Sequence, residues 1–403
     1  MKKVLLGTTA MVSVGLVAGQ ASAAEPIELS FGGYHNWAVF LASNDDSAGN
    51  GVSIPNEPGF NKGDHDIKFD GELQVRGKTV LDNGLEVGVR IEIEGETQGD
   101  QLDENYAYIE GSFGQFRIGN DDPASYIMAT AAPYINYVFG ANTPTVWANG
   151  LSQFFGQTTG LARSRFAAGA SVTFATFPNQ TGDDARVMYF SPVFNGFQFG
   201  ASYAPDNKEA LPGGTYTLPV QIGPTATTPA GTHGETWSVG ARYDGEIGDV
   251  GLTVAGGYLD VSSKAIQNLP ANIGTTDSNS WNAGLVLYYG NWGLGGSYMN
   301  TTDNANVAGT DIETFDLGLS YYADGPWSAG IYWLHSETDF APGTLSAAGG
   351  VTDEFDAYRL MGQYDLGPGI AVTGAVGFDQ FEDGVVNRDY DTYFGGAGLL
   401  ISF

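Results

Sequence analysis

The sequence contains no cysteine, which excludes disulfide bonds and thiolate metal sites. It is also poor in basic residues, with 16 Lys and Arg against 46 Asp and Glu and a formal net charge of −30. Such a balance repels nucleic acid and favours cations, so no nucleic-acid partner is expected. Beyond the N-terminus, no segment approaches the roughly 18 apolar residues that a membrane-spanning helix needs. Stability therefore has to come from backbone pairing.

Motifs for catalysis and cofactor binding are missing as well. The sequence has no Gly-x-Ser-x-Gly, Walker A or Gly-x-Gly-x-x-Gly motif, and its 4 histidines lack metal-ligand spacing. Acidic pairs such as Asp45-Asp46 do not follow the spacing of an EF-hand loop. No enzymatic activity and no cofactor are expected, and a structural calcium ion stays open and unassigned.

An N-terminal export signal is indicated by residues 1–23, where Lys2 and Lys3 precede an apolar run that ends in small residues. The run is short and interrupted by serine and glycine, which disfavours a permanent membrane anchor. We expect cleavage close to Ala23, which leaves residues 24–403 as one domain without a Pro-rich or Ser-rich linker.

Residues 66–94 alternate apolar and polar side chains for their whole length, with one interruption at residues 81–85. Odd positions are mostly apolar and even positions mostly polar or charged, which is typical of a hairpin whose two faces differ. Strands of about a dozen residues exceed the usual length and match the length that crosses a bilayer when tilted. This hairpin therefore predicts part of a membrane barrel wall.

The register of the hairpin follows from its turn. If residues 82–84 form a three-residue loop with Gly84 in the left-handed conformation, apolar residues face each other and Arg76 faces Arg90. Two directly opposed arginines cost about 0.2 to 1 kcal/mol against a neutral pair. Because structure alone gives no reason to keep them, we expect both arginines to supply positive charge to the lumen of the barrel.

The same alternation recurs along the chain, with long polar loops alternating with very short turns. Hairpins are predicted over residues 66–94, 102–120, 185–205, 236–260, 281–300, 313–338 and 355–381. Single strands at Glu28 to Phe40 and Asp391 to Phe403 bring the number of strands to sixteen. Pairing the first strand with the last leaves no exposed edge, which hydrocarbon does not tolerate. We predict an all-β fold, a 16-stranded antiparallel transmembrane β-barrel that is wide enough for an aqueous channel.

Aromatic residues support a membrane setting, because the chain holds 21 Tyr and 23 Phe. Trp281, Trp292 and Trp327 are predicted to lie beside short turns and to form one girdle at the membrane interface. Plain packing would explain any single one of these tryptophans equally well.

Four segments resemble the trimeric porins of the Gram-negative outer membrane, particularly the alphaproteobacterial branch. These segments are NYAYIEGSFGQFRIGN at residues 105–120, GDDARVMYFSP at residues 182–192, FNGF at residues 194–197 and ISF at residues 401–403. The resemblance implies a homotrimer in the outer membrane, in contact with lipid and lipopolysaccharide. It also implies long extracellular loops, periplasmic short turns and a third long loop that folds inward as the constriction.

That third loop runs from about residue 120 to residue 184, and loops of such length are usually functional or disordered. Its many aromatic residues favour burial, so we expect the loop to fold into the lumen. An additional strand-like piece at residues 165–177 is the alternative, and it would change the number of strands.

Basic residues cluster on the first strands of the barrel. By alternation, six of them are predicted to point inward and to form one positive sector of wall; they are Lys68, Arg76, Lys78, Arg90, Arg117 and Arg186. Solvation of inward polar residues is the simpler explanation for a single charge, but it is weaker for a cluster.

The resemblance implies that carboxylates on the inserted loop oppose this basic sector. Only Asp121 and Asp122 match at the start of the loop, and no charged residue follows between Pro123 and Ala162. The lining is therefore expected to combine acidic and polar residues: Asp121, Asp122, Tyr134, Asn136, Tyr137 and Asn142. Such a surface also suits sugars or other uncharged solutes.

These features together favour a passive channel for small hydrophilic solutes and ions, with a preference for cations that comes from the acidic loops. A substrate-selective porin for uncharged solutes is the alternative. A barrel enzyme would need a Ser/His pair converging near the rim, and a surface adhesin would not need a water-filled lumen.

Overall fold

The computed structural model describes residues 12–14, 26–47, 65–95, 102–136, 138–139, 176–178, 180–205, 234–263, 276–304, 308–340, 350–384 and 388–403. Among these residues, no helix is long and apolar enough to cross a membrane. The predicted boundary of the export signal at residue 23 lies outside the described residues and stays a prediction.

Long strands dominate the described residues, and a single short helix, α1 (Ala124–Ile127), follows the sixth strand. The strands are β1 (Val12–Val14), β2 (Glu28–Ser47), β3 (His65–Val80), β4 (Glu86–Glu94), β5 (Leu102–Gly111), β6 (Gly114–Asn120), β7 (Ala185–Phe190), β8 (Phe197–Ala204), β9 (Thr236–Ile247), β10 (Val250–Val261), β11 (Ser278–Tyr289), β12 (Trp292–Thr302), β13 (Asp311–Tyr322), β14 (Trp327–Phe340), β15 (Val351–Gly367), β16 (Ile370–Asp383) and β17 (Arg388–Ser402).

Strands β2 to β17 form one closed antiparallel sheet, in which each strand pairs with its neighbours in sequence. The sheet closes where β17 pairs with β2, from Asp389 opposite Ser47 to Ser402 opposite Tyr34. The predicted 16-stranded barrel and its closure are confirmed. The short strand β1 pairs with the first residues of β2, which β17 does not reach, with Val12 opposite Phe31.

Several strands extend beyond their predicted ends, as at β2 and β9. β2 continues to Ser47 instead of ending at Phe40, because its backbone pairs with β17 where apolar alternation has already stopped. β9 runs to Ile247 instead of the predicted Asp244, and Ile247 faces Val250 across a turn containing Gly248 at φ 62°. Backbone pairing therefore extends beyond the residues whose pattern predicts it.

The first hairpin has the predicted register. Gly84 has φ 81°, and the Leu81 amide donates to the Leu85 carbonyl at 2.8 Å, which closes a three-residue loop. Arg76 lies directly opposite Arg90. Both guanidinium groups therefore point to the same side of the sheet.

The outer surface of the barrel carries two sets of aromatic residues. Near the short turns, Trp292 contacts Tyr321 at a ring-centroid distance of 4.7 Å, and Tyr321 contacts Trp327 at 5.4 Å. The prediction was wrong for Trp281, which lies opposite Asn300, whereas the short turn joins Tyr289 to Trp292. Trp281 therefore lies toward the long-loop end of the barrel. Side chains alternate in the same way at both ends of a strand, so alternation does not distinguish the short-turn end from the long-loop end.

A second outward row crosses four neighbouring strands toward the long loops. Its rings are Trp333, Tyr358, Phe378 and Tyr393, which face one another in register. Centroid distances along the row are 6.2, 6.1 and 4.7 Å. Aromatic side chains at both ends of an apolar band are typical of a barrel that spans a membrane.

Candidate pore lining

The segment after β6 runs along the inner face of the barrel wall. Its first part packs Ala124 and Met128 against Met188 and Phe190 of β7. Its last described part places Phe139, which is fully buried, in a cluster that joins strands from opposite ends of the sequence. The cluster comprises Ala38, Phe40, Ala132, Val138, Phe139, Tyr332, Met361, Ala375 and Phe394. The described residues 121–136 and 138–139 thus cover the wall from β7 round to β2.

Wall side chains bond to the backbone of this segment at several points. The amides of Ala124 and Ser125 donate to the hydroxyl oxygens of Ser202 at 3.2 Å and Ser238 at 2.8 Å. Further along, the Ala132 amide donates to the Asp316 carboxylate at 3.0 Å. A buried backbone requires such partners, so these inward hydroxyls and this carboxylate hold the segment against the wall.

Other wall groups bind the carbonyl oxygens. Arg242 donates to the Ala129 carbonyl at 3.1 Å, and the Tyr332 hydroxyl donates to the Pro133 carbonyl at 3.1 Å. Ser320 also donates to the Pro133 carbonyl. The segment is therefore attached on both its donor and its acceptor groups.

The described part of the segment leaves the wall formed by β3 to β6 uncovered. On this uncovered wall, the two opposed arginines, Arg76 and Arg90, have different surroundings. Arg76 donates to the Gln74 side chain at 3.1 Å. Arg90 makes ion pairs with Glu92 and, at 3.6 Å, with Glu104. Carboxylates of the wall itself therefore lie beside the arginines, in addition to the carboxylates of the loop.

Arg117 of β6 links the wall to the beginning of the long segment. Its guanidinium pairs with Asp121 at 2.9 Å and lies 4.8 Å from the ring centroids of both Tyr106 and Phe190. Asp121 is 1% exposed. Burial raises the pKa of the Asp121 carboxyl, and the charge and hydrogen bond of Arg117 oppose that effect.

Arg186 does not extend openly into the lumen as predicted, because its side chain is 2% exposed and folds against the end of the long loop that returns to β7. Its guanidinium donates to the carbonyl oxygens of Gly182 at 2.5 Å and Asp184 at 3.1 Å. This side chain therefore shapes the loop where it rejoins β7. The two lysines lie toward opposite ends of β3, where Lys78 pairs with Glu86 at 3.3 Å and Lys68 is half-buried.

Asp122 and Asp183 bring the two ends of the long loop together. Burial raises the pKa of Asp122 to about 8, helped by the charges of Glu104 and Asp121. Burial also raises the pKa of Asp183 to about 9, with Asp122 and Asp103 as further causes. Asp183 shares a side-chain hydrogen bond with Asp103, which requires a proton on one of the two carboxyl groups.

The polar residues expected on the loop divide into two groups. Asn136 is buried and donates to Thr373 of β16 at 2.6 Å, and burial raises the pKa of Tyr134. Both residues belong to the described segment that packs on the wall. Tyr137 and Asn142 lie outside the described residues.

Sequence reasoning missed part of the acidic lining. Glu72, Glu92 and Asp103 bring carboxylate oxygens within 4.8 Å of one another, an arrangement that could accommodate a metal ion. Glu72 and Glu92 follow the same parity as Arg76 and Arg90, so alternation alone could have placed them. Asp103 could not be placed in that way, because the pairing of β4 with β5 shifts register between Ile91 and Ile93.

Known proteins share both the sequence pattern and the fold. A sequence model of the family described as Gram-negative porin matches residues 7–384. An uncharacterized protein of Rickettsia conorii is 23% identical over 377 residues, which cover 78% of this chain and 82% of that protein.

Solved structures of low sequence identity have the same architecture. An anion-selective porin from Comamonas acidovorans matches with a TM-score of 0.57 and 15% identity, over 94% of this chain and 100% of that chain. The outer membrane channel DcaP of Acinetobacter baumannii matches with a TM-score of 0.57 and 10% identity, over 94% and 97%. The trimer form of OmpT, an outer membrane protein of Vibrio cholerae, matches with a TM-score of 0.55 and 13% identity, over 94% and 100%.

Proposed function

This chain belongs to the Gram-negative porin family, and we propose that the outer-membrane channel it forms prefers cations among the small hydrophilic solutes that diffuse through it. The channel is passive and has no enzymatic activity. Selection among solutes then depends on the charges and the width of the lumen.

The proposal rests on the balance of charge on the uncovered wall and on the adjoining ends of the long loop. Four arginines lie there, and each is accompanied by carboxylates or polar groups. Eight carboxyl groups belong to the same region: Glu72, Glu92, Asp103, Glu104, Asp121, Asp122, Asp183 and Asp184. Even with Asp122 and Asp183 protonated at neutral pH, acidic groups outnumber the arginines. A lumen lined in this way concentrates cations.

The alternative, a porin selective for sugars or other uncharged solutes, draws less support. It relies on a polar loop surface, but Asn136 is bonded to Thr373 in the packed segment and Tyr134 is partly buried against the cluster around Phe139. Ionic groups therefore dominate the part of the lining that is described.

We further propose a homotrimer whose short turns face the periplasm and whose outer leaflet contact is lipopolysaccharide. The trimer form of the Vibrio cholerae protein supports the first part. For the second part, an outward row of glutamates lies directly opposed on β13 to β16, beyond the aromatic row; its members are Glu313, Glu337, Glu354 and Glu382. Opposed like charges repel, and cations held at an anionic lipid surface would relieve that repulsion.

Reversal potentials of the purified protein in planar bilayers under a salt gradient test the selectivity. We expect stepwise insertion of trimers and a potential of the sign that cation flow produces. The paired variants Glu104→Gln and Glu313→Gln provide a matched comparison. Only the first should reduce cation preference, because Glu313 faces outward. An anion preference of the parent protein would contradict the proposal.

A further inference from the structure

Four glycines of the inner wall lie beneath the long segment, on β9, β10, β11 and β13. We name them the glycine seam: Gly240, Gly257, Gly284 and Gly318. A Cβ at Gly240 would come within 2.9 Å of the Ala124 carbonyl oxygen, and one at Gly257 within 2.7 Å of the Ser125 Cβ. Both distances are shorter than real Cβ contacts allow, so the segment approaches the wall as closely as glycine permits.

The approach is tightest at Gly284. A Cβ at this position would overlap the Thr130 carbonyl oxygen and lie 2.8 Å from the Thr130 Cγ2. At Gly318 a Cβ would lie 2.8 Å from the Ala132 Cβ. Because the obstacle at Gly284 is backbone, no side-chain rotation can make room for an added methyl group.

An independent set of contacts shows that the close approach is a docked arrangement. Ser238 and Asp316 accept hydrogen bonds from amides of the segment, and Tyr332 donates one to a carbonyl oxygen, so the segment is attached along the seam. These groups lie on the same inner face as the glycines, and each satisfies a backbone atom of the segment. Glycines and polar side chains therefore act together: the glycines allow close approach, and the hydroxyls and the Asp316 carboxylate hold the segment in place.

We infer that the glycine seam sets the cross-section of the channel, so that its members are positioning residues for solute size although none of them needs to touch a solute. The wall is the stiffer partner, because Gly284 is paired on both sides, with Ala255 and with Ser297. An added methyl group must therefore displace the segment toward the lumen. This inference rests on the proposed channel function, but it concerns pore size and is independent of the sign of the preferred ion.

The test compares alanine variants that differ in what the new methyl group meets. Gly284→Ala meets backbone, Gly257→Ala meets a Cβ at 2.7 Å, and Gly251→Ala, also inward on β10, meets the Tyr288 Cβ at an ordinary 3.4 Å. We expect single-channel conductance and the size limit for uncharged sugars in liposome swelling to fall in the order Gly251→Ala, Gly257→Ala, Gly284→Ala. Gly251→Ala should match the parent.

Folded Gly284→Ala trimers with unchanged or higher conductance would overturn the inference, as would an equal loss in Gly251→Ala. A second design covers failure of Gly284→Ala to fold. The hydroxyl oxygens of Ser125 and Ser238 are 2.9 Å apart, and the chain has no native cysteine, so Ser125→Cys with Ser238→Cys offers one disulfide.

Conductance of the disulfide form should equal that of its reduced form, because the docked position is then the conducting one. A change on reduction would show that the segment leaves the wall in the conducting channel. Failure of the proposed function appears differently, as absence of current or as anion preference in the parent protein. The two failures are therefore distinguishable.

Discussion

The inner surface of this barrel has two kinds of wall. On β3 to β6, inward positions hold arginines and glutamates in ion pairs, as between Arg90 and Glu104. On β8 to β17, they include glycines and hydroxyls that lie against the long segment, as at Gly284 and Ser238. One sheet with one alternation thus has two functions: the first wall presents charge to the lumen, and the second anchors the part that narrows it.

The largest expected effect lies on the anchoring wall at Asp316, which is 5% exposed. Its carboxylate accepts from the amides of Ala132 at 3.0 Å and Ser297 at 2.6 Å. Asp316→Ala leaves both buried donors without this acceptor, and we expect a loss of about 2 to 4 kcal/mol in unfolding free energy. Denaturant unfolding in detergent micelles measures it.

Two controls sharpen this prediction. Asp316→Asn keeps one acceptor oxygen and should lose less than Asp316→Ala. Arg76→Ser on the charged wall should change stability by less than about 1 kcal/mol. Equal losses for Asp316→Ala and Arg76→Ser would remove the distinction between the walls.

A smaller effect, on selectivity instead of stability, is expected for the double substitution Arg76→Ser with Arg90→Ser. It removes two opposed cations and leaves the carboxyl groups of Glu92 and Glu104 in the lumen, so cation preference and cation conductance should rise while the trimer still folds. Reversal potentials measure the change, with Lys78→Ser as a control at the exposed end of β3. Unchanged selectivity and conductance would mean that both arginines lie off the ion path.

The smallest effect is a dependence on pH at the loop ends. The pKa values of Asp122, about 8, and Asp183, about 9, are raised, so both carboxyl groups are largely protonated at neutral pH. Raising the pH through these values adds negative charge to the lining, and cation preference should increase between about pH 7 and 10. Asp122→Asn should flatten the lower part of that rise in reversal potential. A flat profile in the parent protein would place both carboxyl groups away from the permeating ions.

Much of the barrel could be predicted because strand alternation is a local property. The three-residue turn at Gly84 and the pairing of Arg76 with Arg90 follow from period and turn chemistry. Trp281 shows the limit of such reasoning, because alternation identifies an outward face but not the end of the barrel at which a residue lies. The register shift between Ile91 and Ile93 likewise hid the place of Asp103.

Composition and period by themselves determined a closed sheet with an apolar outside, because each strand carries its own two faces and hydrocarbon forbids a free edge. They also determined which face of β3 and β4 holds the arginines. Only the tertiary structure decided that Arg90 meets Glu104, that Arg186 folds back on its own loop, and that Gly284 lies under Thr130. These contacts join residues whose distance depends on strand register and loop path around the whole barrel, and no local pattern encodes that path.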